Sequence, residues 1–298
     1  MNLLAFYLQI DNNVLLYLSI MSYSERSKFG VVEWNLNGAL SDLDRAPDAV
    51  EKIIDTNGLV VSLPDAYQLD SRESRPSDRK LEVSFDVFRK AGYEVVDTEH
   101  REFRPLNNFA NYHFLTLLKR GVYQRREIFT AGTRKVVTVD IAMQDTIARV
   151  ASVYLSDQSE QKRLFQVEAI KHGLRTDMPT ALIGDLNAMH GDLIRSRVLR
   201  ARMVRAVAVG IYLQNATLSR LADMARGGVL KELERLGLED ADPDRQPTMP
   251  SRYPLFQLDH VLFNKYLSAS RTTVDFQGNL SDHAMISSTI TLNSEHDG

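Results

Sequence analysis

The chain has 298 residues, 44% of them hydrophobic, which is enough to bury a large core, and it carries a formal net charge of −3 at pH 7. That balance gives no overall pull toward a polyanion, although a local basic patch fits within it. No cysteine is present, which excludes disulfides, thiolate metal sites and a cysteine nucleophile.

The chain opens with "MNLLAFYLQIDNNVLLYLSIMSYSERSKF", two apolar runs that "QIDNN" interrupts before either is long enough to cross a bilayer. No transmembrane helix is predicted. No Lys or Arg precedes Leu3, so the charged start of a secretory signal is missing and a cytoplasmic location is expected. Residues 1–29 read as an N-terminal extension outside the core, with Met21 an alternative start to Met1. Beyond it, short β-branched runs alternate with helical periodicity, the pattern of strands layered on helices. The expected strands are "GVVEWNL", "LVVSL", "YEVVD", "FLTLL", "KVVTVDIAM", "ARVASVYL", "TALIG", "FQLDHVLF" and "HAMISSTITL". Nine strands imply more than one sheet. A helix is predicted from Asp157 to His172, with Asp157 as N-cap, Glu160 three residues on and Gly173 just past its end. A second covers Thr217 to Leu236, interrupted at Gly227 and Gly228. Residues 70–80, "DSRESRPSDRK", and the stretch "LEDADPDRQPTMPSRYP" read as exposed connections. Strand-like runs needing one core flank both, so residues 30–292 form a single domain and 293–298 a tail.

Chemistry gathers where strands end. "TALIG" delivers Asp185 at its carboxyl end, Gly184 permits close backbone approach, and Asn187 follows two positions later. A turn capping exposed amides would use the same residues. The theme recurs, however. Asp65 ends "GLVVSLPDAY", Asn35 lies inside "VVEWNLNG", Asp259 and His260 sit between apolar neighbours in "FQLDHVLF", and Asp282 and His283 precede the last strand. Burying one ionised carboxylate alone costs several kcal/mol, so each needs a cation, a donor or water, and a shared metal would satisfy several together.

The order of these elements, Asn35, Asp65, "GDLN", "LDH" and "SDH", resembles the endonuclease/exonuclease/phosphatase superfamily from about residue 30 to the end. The resemblance implies an α/β (α+β) fold, a four-layer sandwich of two facing mixed β-sheets flanked by helices. It also implies a metal-dependent phosphoesterase, most simply a nuclease or phosphodiesterase, with a phosphatase or phospholipase of a small head group on the same core as the alternative. By resemblance, Asn35, Asp65 and Asp282 bind or flank the metal. Asp185 orients or deprotonates the attacking water, and Asn187 holds Asp185 or a phosphate oxygen. His283 contacts the phosphate or acts as general base, with Asp259 accepting from its ring; which of Asp185 and His283 takes the proton stays open. Oxygen-rich ligands favour Mg²⁺ or Mn²⁺ over Zn²⁺.

Two positions depart from the superfamily pattern. Pro64 and Asp65 stand where many members carry Gln-Glu, and Tyr154 where many carry His; a Tyr near the phosphate resembles the abasic-site endonucleases. A rival reading follows from these departures, a binding module that has lost turnover. The partner expected is a phosphate-ester substrate, nucleic acid among the possibilities, and no obligate protein partner is indicated. Arg195, Arg197, Arg200, Arg202 and Arg205 spread around a helix rather than lining one face. Leu218, Leu221, Met224, Leu230 and Leu233 have core spacing. His113 and His172 lack evident partners, and His190 beside "GDLNAM" is the one to watch. Arg252 and Tyr253 belong to a loop that can rim the site.

Overall fold

The protein is described by a computed structural model over residues 27–42, 44–70, 79–103, 109–191, 223–252 and 254–293. Two six-stranded sheets face each other. The first holds β1 (Lys28–Glu33), β2 (Val60–Asp70), β3 (Tyr93–Phe103), β4 (Phe109–Lys119), β11 (Leu267–Asp275) and β12 (Met285–Leu292), in the order β11-β12-β1-β2-β4-β3. The second holds β5 (Tyr123–Ala131), β6 (Arg134–Met143), β7 (Thr146–Tyr154), β8 (Thr180–Asp185), β9 (Leu238–Asp240) and β10 (Asp259–Asn264), in the order β5-β6-β7-β8-β10-β9. Both sheets are mixed, since β1 runs parallel to β2 and β7 to β8 while the other pairs are antiparallel.

Three apolar layers explain the stacking. Phe29, Val31, Val60, Val139, Val150, Ile183, Val261 and Ile286 meet between the sheets. On the outer face of the first sheet, Val32, Trp34, Val61 and Leu115 are covered by α1 (Ala46–Asp55) and α2 (Arg79–Lys90) through Ala49, Val50, Ile53 and Phe88. On the outer face of the second, Ala151, Val153, Leu182 and Leu262 lie under α3 (Glu160–Gly173) and α4 (Gly228–Arg235), which supply Val167, Ile170, Leu230 and Leu233. The result is the expected four-layer sandwich. Met224 is buried too, as its spacing predicted.

Several details differ from the sequence reading. β5, β9 and β11 were not predicted: β5 is largely exposed and β11 mostly half-buried, so they lack the apolar run that marks a buried strand, and β9 is only three residues long. α1 and α2 were likewise not predicted. Ser159, not Asp157, caps α3, accepting from the Lys162 backbone N–H, and Gly173 is the last helical residue rather than the one beyond. β2 does not stop at Asp65; its pairing with β4 breaks between Leu63 and Tyr67 and then resumes. β1 starts at Lys28, inside the stretch read as extension, and residues 1–26 lie outside the described structure, as do residues 71–78 of the first loop. The connection after α4 contains β9 and a bridge between Met249 and Phe256.

One glycine is indispensable to this geometry. Gly184 has φ of +149° and a Cβ placed on it would lie 1.8 Å from the Val153 carbonyl oxygen on the neighbouring strand. Gly184→Ala is therefore expected to lower the unfolding free energy by about 3 kcal/mol or more, the upper end of overpacking costs. Urea denaturation followed by circular dichroism measures this.

Candidate active site

The topology brings the functional side chains together at one end of the sandwich. β1, β2, β7 and β8 all point their carboxyl ends there, while antiparallel β10 and β12 begin there. Period two then selects the side chains. On β1, Phe29 and Val31 face the other sheet, and the same alternation carries Glu33 and then Asn35 to that face. On β8, Ala181 and Ile183 face inward, so Asp185 does as well. On β10 Val261 faces inward, so Asp259 does and His260 points the opposite way. Register does the rest, placing Asp259 directly across from Asp185, and Tyr154 across from Asp185 on the other side.

Five of the predicted residues form two hydrogen-bonded groups that meet at one place. Asn35 Nδ2 donates to Asp185 Oδ2 at 2.9 Å, and the Asn187 backbone N–H donates to Asp185 Oδ1 at 2.8 Å. His283 Nδ1 donates to Asp259 Oδ2 at 2.8 Å, and one donor atom each from Asp185, Asp259 and His283 lie within 4.8 Å of one another. Asn35 sits two residues beyond the end of β1 rather than inside it; its Nδ2 is committed to Asp185 and its Oδ1 accepts from the Asn37 backbone at 3.0 Å. Asn187 holds Asp185 through its backbone while its side chain donates to the Leu155 carbonyl at 3.0 Å. The frame is tied down around them. Trp34 Nε1 donates to the His283 carbonyl at 3.1 Å, Ser281 Oγ to the Asn35 carbonyl at 2.6 Å, and the Leu258 N–H to Thr248 Oγ1 at 3.1 Å. Asn37, Asp65 and Asn187 all adopt left-handed backbone with φ between 45° and 48°, a conformation retained where surrounding contacts over-determine it.

Burial makes these charges consequential. Asp185 is pushed up to about 7, first by burial and then by the Asp259 charge, against the opposing pull of His283, Asn35 and the Asn187 N–H. For His283, burial works against the imidazolium, but Asp259, through charge and hydrogen bond, with Asp282 and Asp185, outweighs it and raises the group to about 10. Both shifts have one sign: the folded chain holds the proton more tightly than the unfolded chain does. Stability of the metal-free chain therefore falls as pH rises, from 3.8 to about 7 through Asp185 and from 6.5 to about 10 through His283. Urea midpoints across that range are expected to decline, and Asp259→Asn to flatten the alkaline part of the decline.

Glu33 was missed in the sequence. It is fully buried, and burial, then the charges of Asp259 and Asp185 and a proton shared with Asp259, raise it well above the usual carboxylate range; beyond that shared proton neither carboxylate oxygen has a donor. Asp259 Oδ1 and Asp282 Oδ1 are also buried without a donor. Several undonated carboxylate oxygens around one imidazolium fit a hard dication better than they fit protons alone. The signal was available: Glu33 stands two residues before Asn35 on one strand face.

The remaining predicted residues stand at the margin. Tyr154 is buried, its phenol raised well above the ordinary range first by burial and then by the Asp65 charge, with Arg134 opposing. Arg134 lies 4.0 Å from the Tyr154 ring centroid; no sequence pattern marked it. Asp65 is thus on the Tyr154 side and Asp282 on the His283 side. His113 pairs with Asp97 at 2.9 Å, and Arg252 is exposed. Arg195 to Arg205, Leu218, Leu221 and Tyr253 lie outside the described residues.

Two facing mixed sheets flanked by helices define a fold shared with known proteins. Residues 32–283 match the Endonuclease/Exonuclease/phosphatase family, and the chain belongs to that family. No curated protein matches the sequence. Among solved structures, an endonuclease/exonuclease/phosphatase from Beutenbergia cavernae is similar with a TM-score of 0.67 and 14% identity, over 90% of this chain and 72% of that one. A family protein from Leptotrichia buccalis gives 0.59 and 12%, over 89% and 100%. D. rerio TDP2 complexed with single-strand DNA product gives 0.53 and 13%, over 89% and 99%. At these identities the likeness is one of fold. Among the described residues no helix is long and apolar enough to cross a membrane.

Proposed function

We propose that the chain is a divalent-metal-dependent hydrolase of phosphate esters, and within that class a phosphodiesterase acting on nucleic acid. The observation that carries this reading is the convergence of Asp185, Asp259 and His283 donor atoms within 4.8 Å, beside the buried carboxylate of Glu33. Glu33, with Asn35, Asp65 and Asp282 around it, would hold Mg²⁺ or Mn²⁺, beside Asp185 and Asp259. Such a dication, when bound, neutralises phosphoryl oxygens and acidifies water.

The chain's own residues divide the remaining work. Asp185, held by Asn35 Nδ2 and the Asn187 N–H, takes the proton of the attacking water. Asn35 and Asn187 fix its carboxylate so that it cannot rotate away. His283, raised to about 10, remains an imidazolium; with Nδ1 on Asp259, its Nε2–H is the donor available to a non-bridging phosphate oxygen. Tyr154, a neutral phenol, donates on the other side, with Arg134 stacked against its ring. Nucleic acid is favoured over a small head group because a relative of this fold has been seen with a single-strand DNA product.

The test uses the full chain, stripped with chelator and then given Mg²⁺ or Mn²⁺. It is presented with single-stranded, double-stranded and abasic DNA, inositol phosphates and lipid. Metal-dependent DNA cleavage abolished by Asp185→Ala is expected. Turnover confined to inositol phosphates or lipid would move the substrate to the small-head-group class, and metal-independent binding without product would make the chain a binding module. Asp65→Glu, which restores the methylene that many family members carry, is expected to lower the Mg²⁺ concentration needed for half-maximal activity; an unchanged or higher requirement would remove Asp65 from the metal's surroundings.

A further inference from the structure

The alternation that sends Asp259 inward sends His260 to the opposite face of the second sheet, away from the chemistry described above. There it meets a second cluster. His260 is fully buried and Asp240 and His190 nearly so, and one donor atom from each lies within 4.8 Å of the others. Asp240 arrives from β9, which pairs with β10 with Asp240 opposite Leu262. His190 comes from the segment after β8.

Three donors converge on one oxygen. Asp240 Oδ2 lies 2.8 Å from His260 Nδ1, 3.2 Å from Gln257 Nε2 and 3.5 Å from His190 Nε2. The far nitrogen of His260 donates to the Ala188 carbonyl at 3.0 Å, while that of His190 lies 3.8 Å from Glu234 Oε1, an ion-pair distance rather than a hydrogen bond. Without a metal, an imidazolium at His260 donating to both Asp240 and Ala188 meets this geometry; with a metal, the proton of each ring moves to its far nitrogen and both near nitrogens turn a lone pair toward the ion beside Asp240 Oδ2. Gln257 Oε1 is buried with no hydrogen-bond partner, and His190 Nε2 has none closer than Asp240 Oδ2 at 3.5 Å.

We propose that His190, Asp240 and His260 form a second metal site, structural rather than catalytic, that takes a zinc-class dication on the outer face of the second sheet. Two imidazole nitrogens and a carboxylate oxygen are a zinc ligand set, and ligand distances of about 2.0–2.2 Å place tetrahedral donors about 3.3 Å apart, between the 2.8 and 3.5 Å found. The Ala188 carbonyl fixes the tautomer and orientation of His260, and Glu234 is the carboxylate placed to do so for His190 when its ring ligates an ion. Gln257 Oε1, or water, completes the fourth position. The ion would clamp β9 and β10 to the segment following Asp185, behind the active site.

The experiment separates this site from the one between the sheets. The full chain carrying Asp185→Asn and His283→Gln, which disable the inner cluster, is stripped with chelator and titrated with Zn²⁺, with Co²⁺ as the spectroscopic probe. One equivalent of Zn²⁺ is expected, with the visible absorption of four-coordinate Co²⁺ and a rise of several degrees in thermal midpoint. Adding His190→Gln is expected to remove all three. Glu234→Gln, at an exposed residue, leaves the fold intact and is expected to weaken Zn²⁺ binding about 10- to 100-fold. No uptake in the starting variant, or uptake unchanged by both substitutions, would overturn the proposal. Either result leaves the metal-dependent turnover of the wild-type chain to be judged by its own assay.

Discussion

His283→Gln is expected to lower kcat on a phosphodiester by about 10²- to 10⁴-fold, the range lost with a positioned proton donor or acceptor. Asp259→Asn should cost nearly as much, although Asp259 need not touch substrate. Its Oδ2 lies 2.8 Å from His283 Nδ1 and its charge is the leading influence holding the imidazole protonated against burial. Since the two act as a unit, the double variant should be no slower than the worse single one. Losses that multiply would mean that Asp259 and His283 work separately. The pH profile separates the roles further. With Asp259 neutralised, His283 loses its proton at lower pH, so the alkaline limb of the activity profile should move toward neutrality.

Asp185→Asn is the second large effect. The substitution keeps size and removes the base, and a fall in kcat of about 10²- to 10⁴-fold is expected with little change in circular dichroism. Asn35→Ala reports on the support of that base. It removes the 2.9 Å bond to Asp185 Oδ2, and a hydrogen bond to a charged group contributes about 1.5–3 kcal/mol, so a loss of about tenfold to hundredfold in kcat is expected with KM nearly unchanged. An effect on KM alone would place Asn35 in substrate binding instead.

What could be read in the sequence was whatever has a local physical cause. Gly184 before Asp185 is legible because only glycine tolerates the approach of Val153, and the alternation of "TALIGD" puts Asp185 on the same side as Ile183. The assembly of Asn35, Asp185, Asn187, Asp259 and His283 was anticipated from their order. Glu33 was overlooked because it reads as one polar residue in an apolar run; period two from Asn35 would have found it. α1 carries its own signal, Pro47 at the helix start and Ala49, Val50 and Ile53 buried on one face. β5 and β11 do not, since both are sheet-edge strands, one mostly exposed and the other mostly half-buried. Arg134 beside Tyr154, and Asp240 beside His190 and His260, depend on register between distant strands, and no short stretch of sequence encodes register.

Manganese dependence of DNA cleavage by the chelator-stripped chain, wild type against a Glu33→Gln, Asp65→Asn double variant that spares the general base, tests the central claim most directly. Cleavage should be absent without metal, return along a saturable curve in the wild type, and stay absent or need far more Mn²⁺ in the variant. Cleavage that persists in excess chelator, or a variant that titrates like the wild type, would contradict the claim that these carboxylates gather around one catalytic cation.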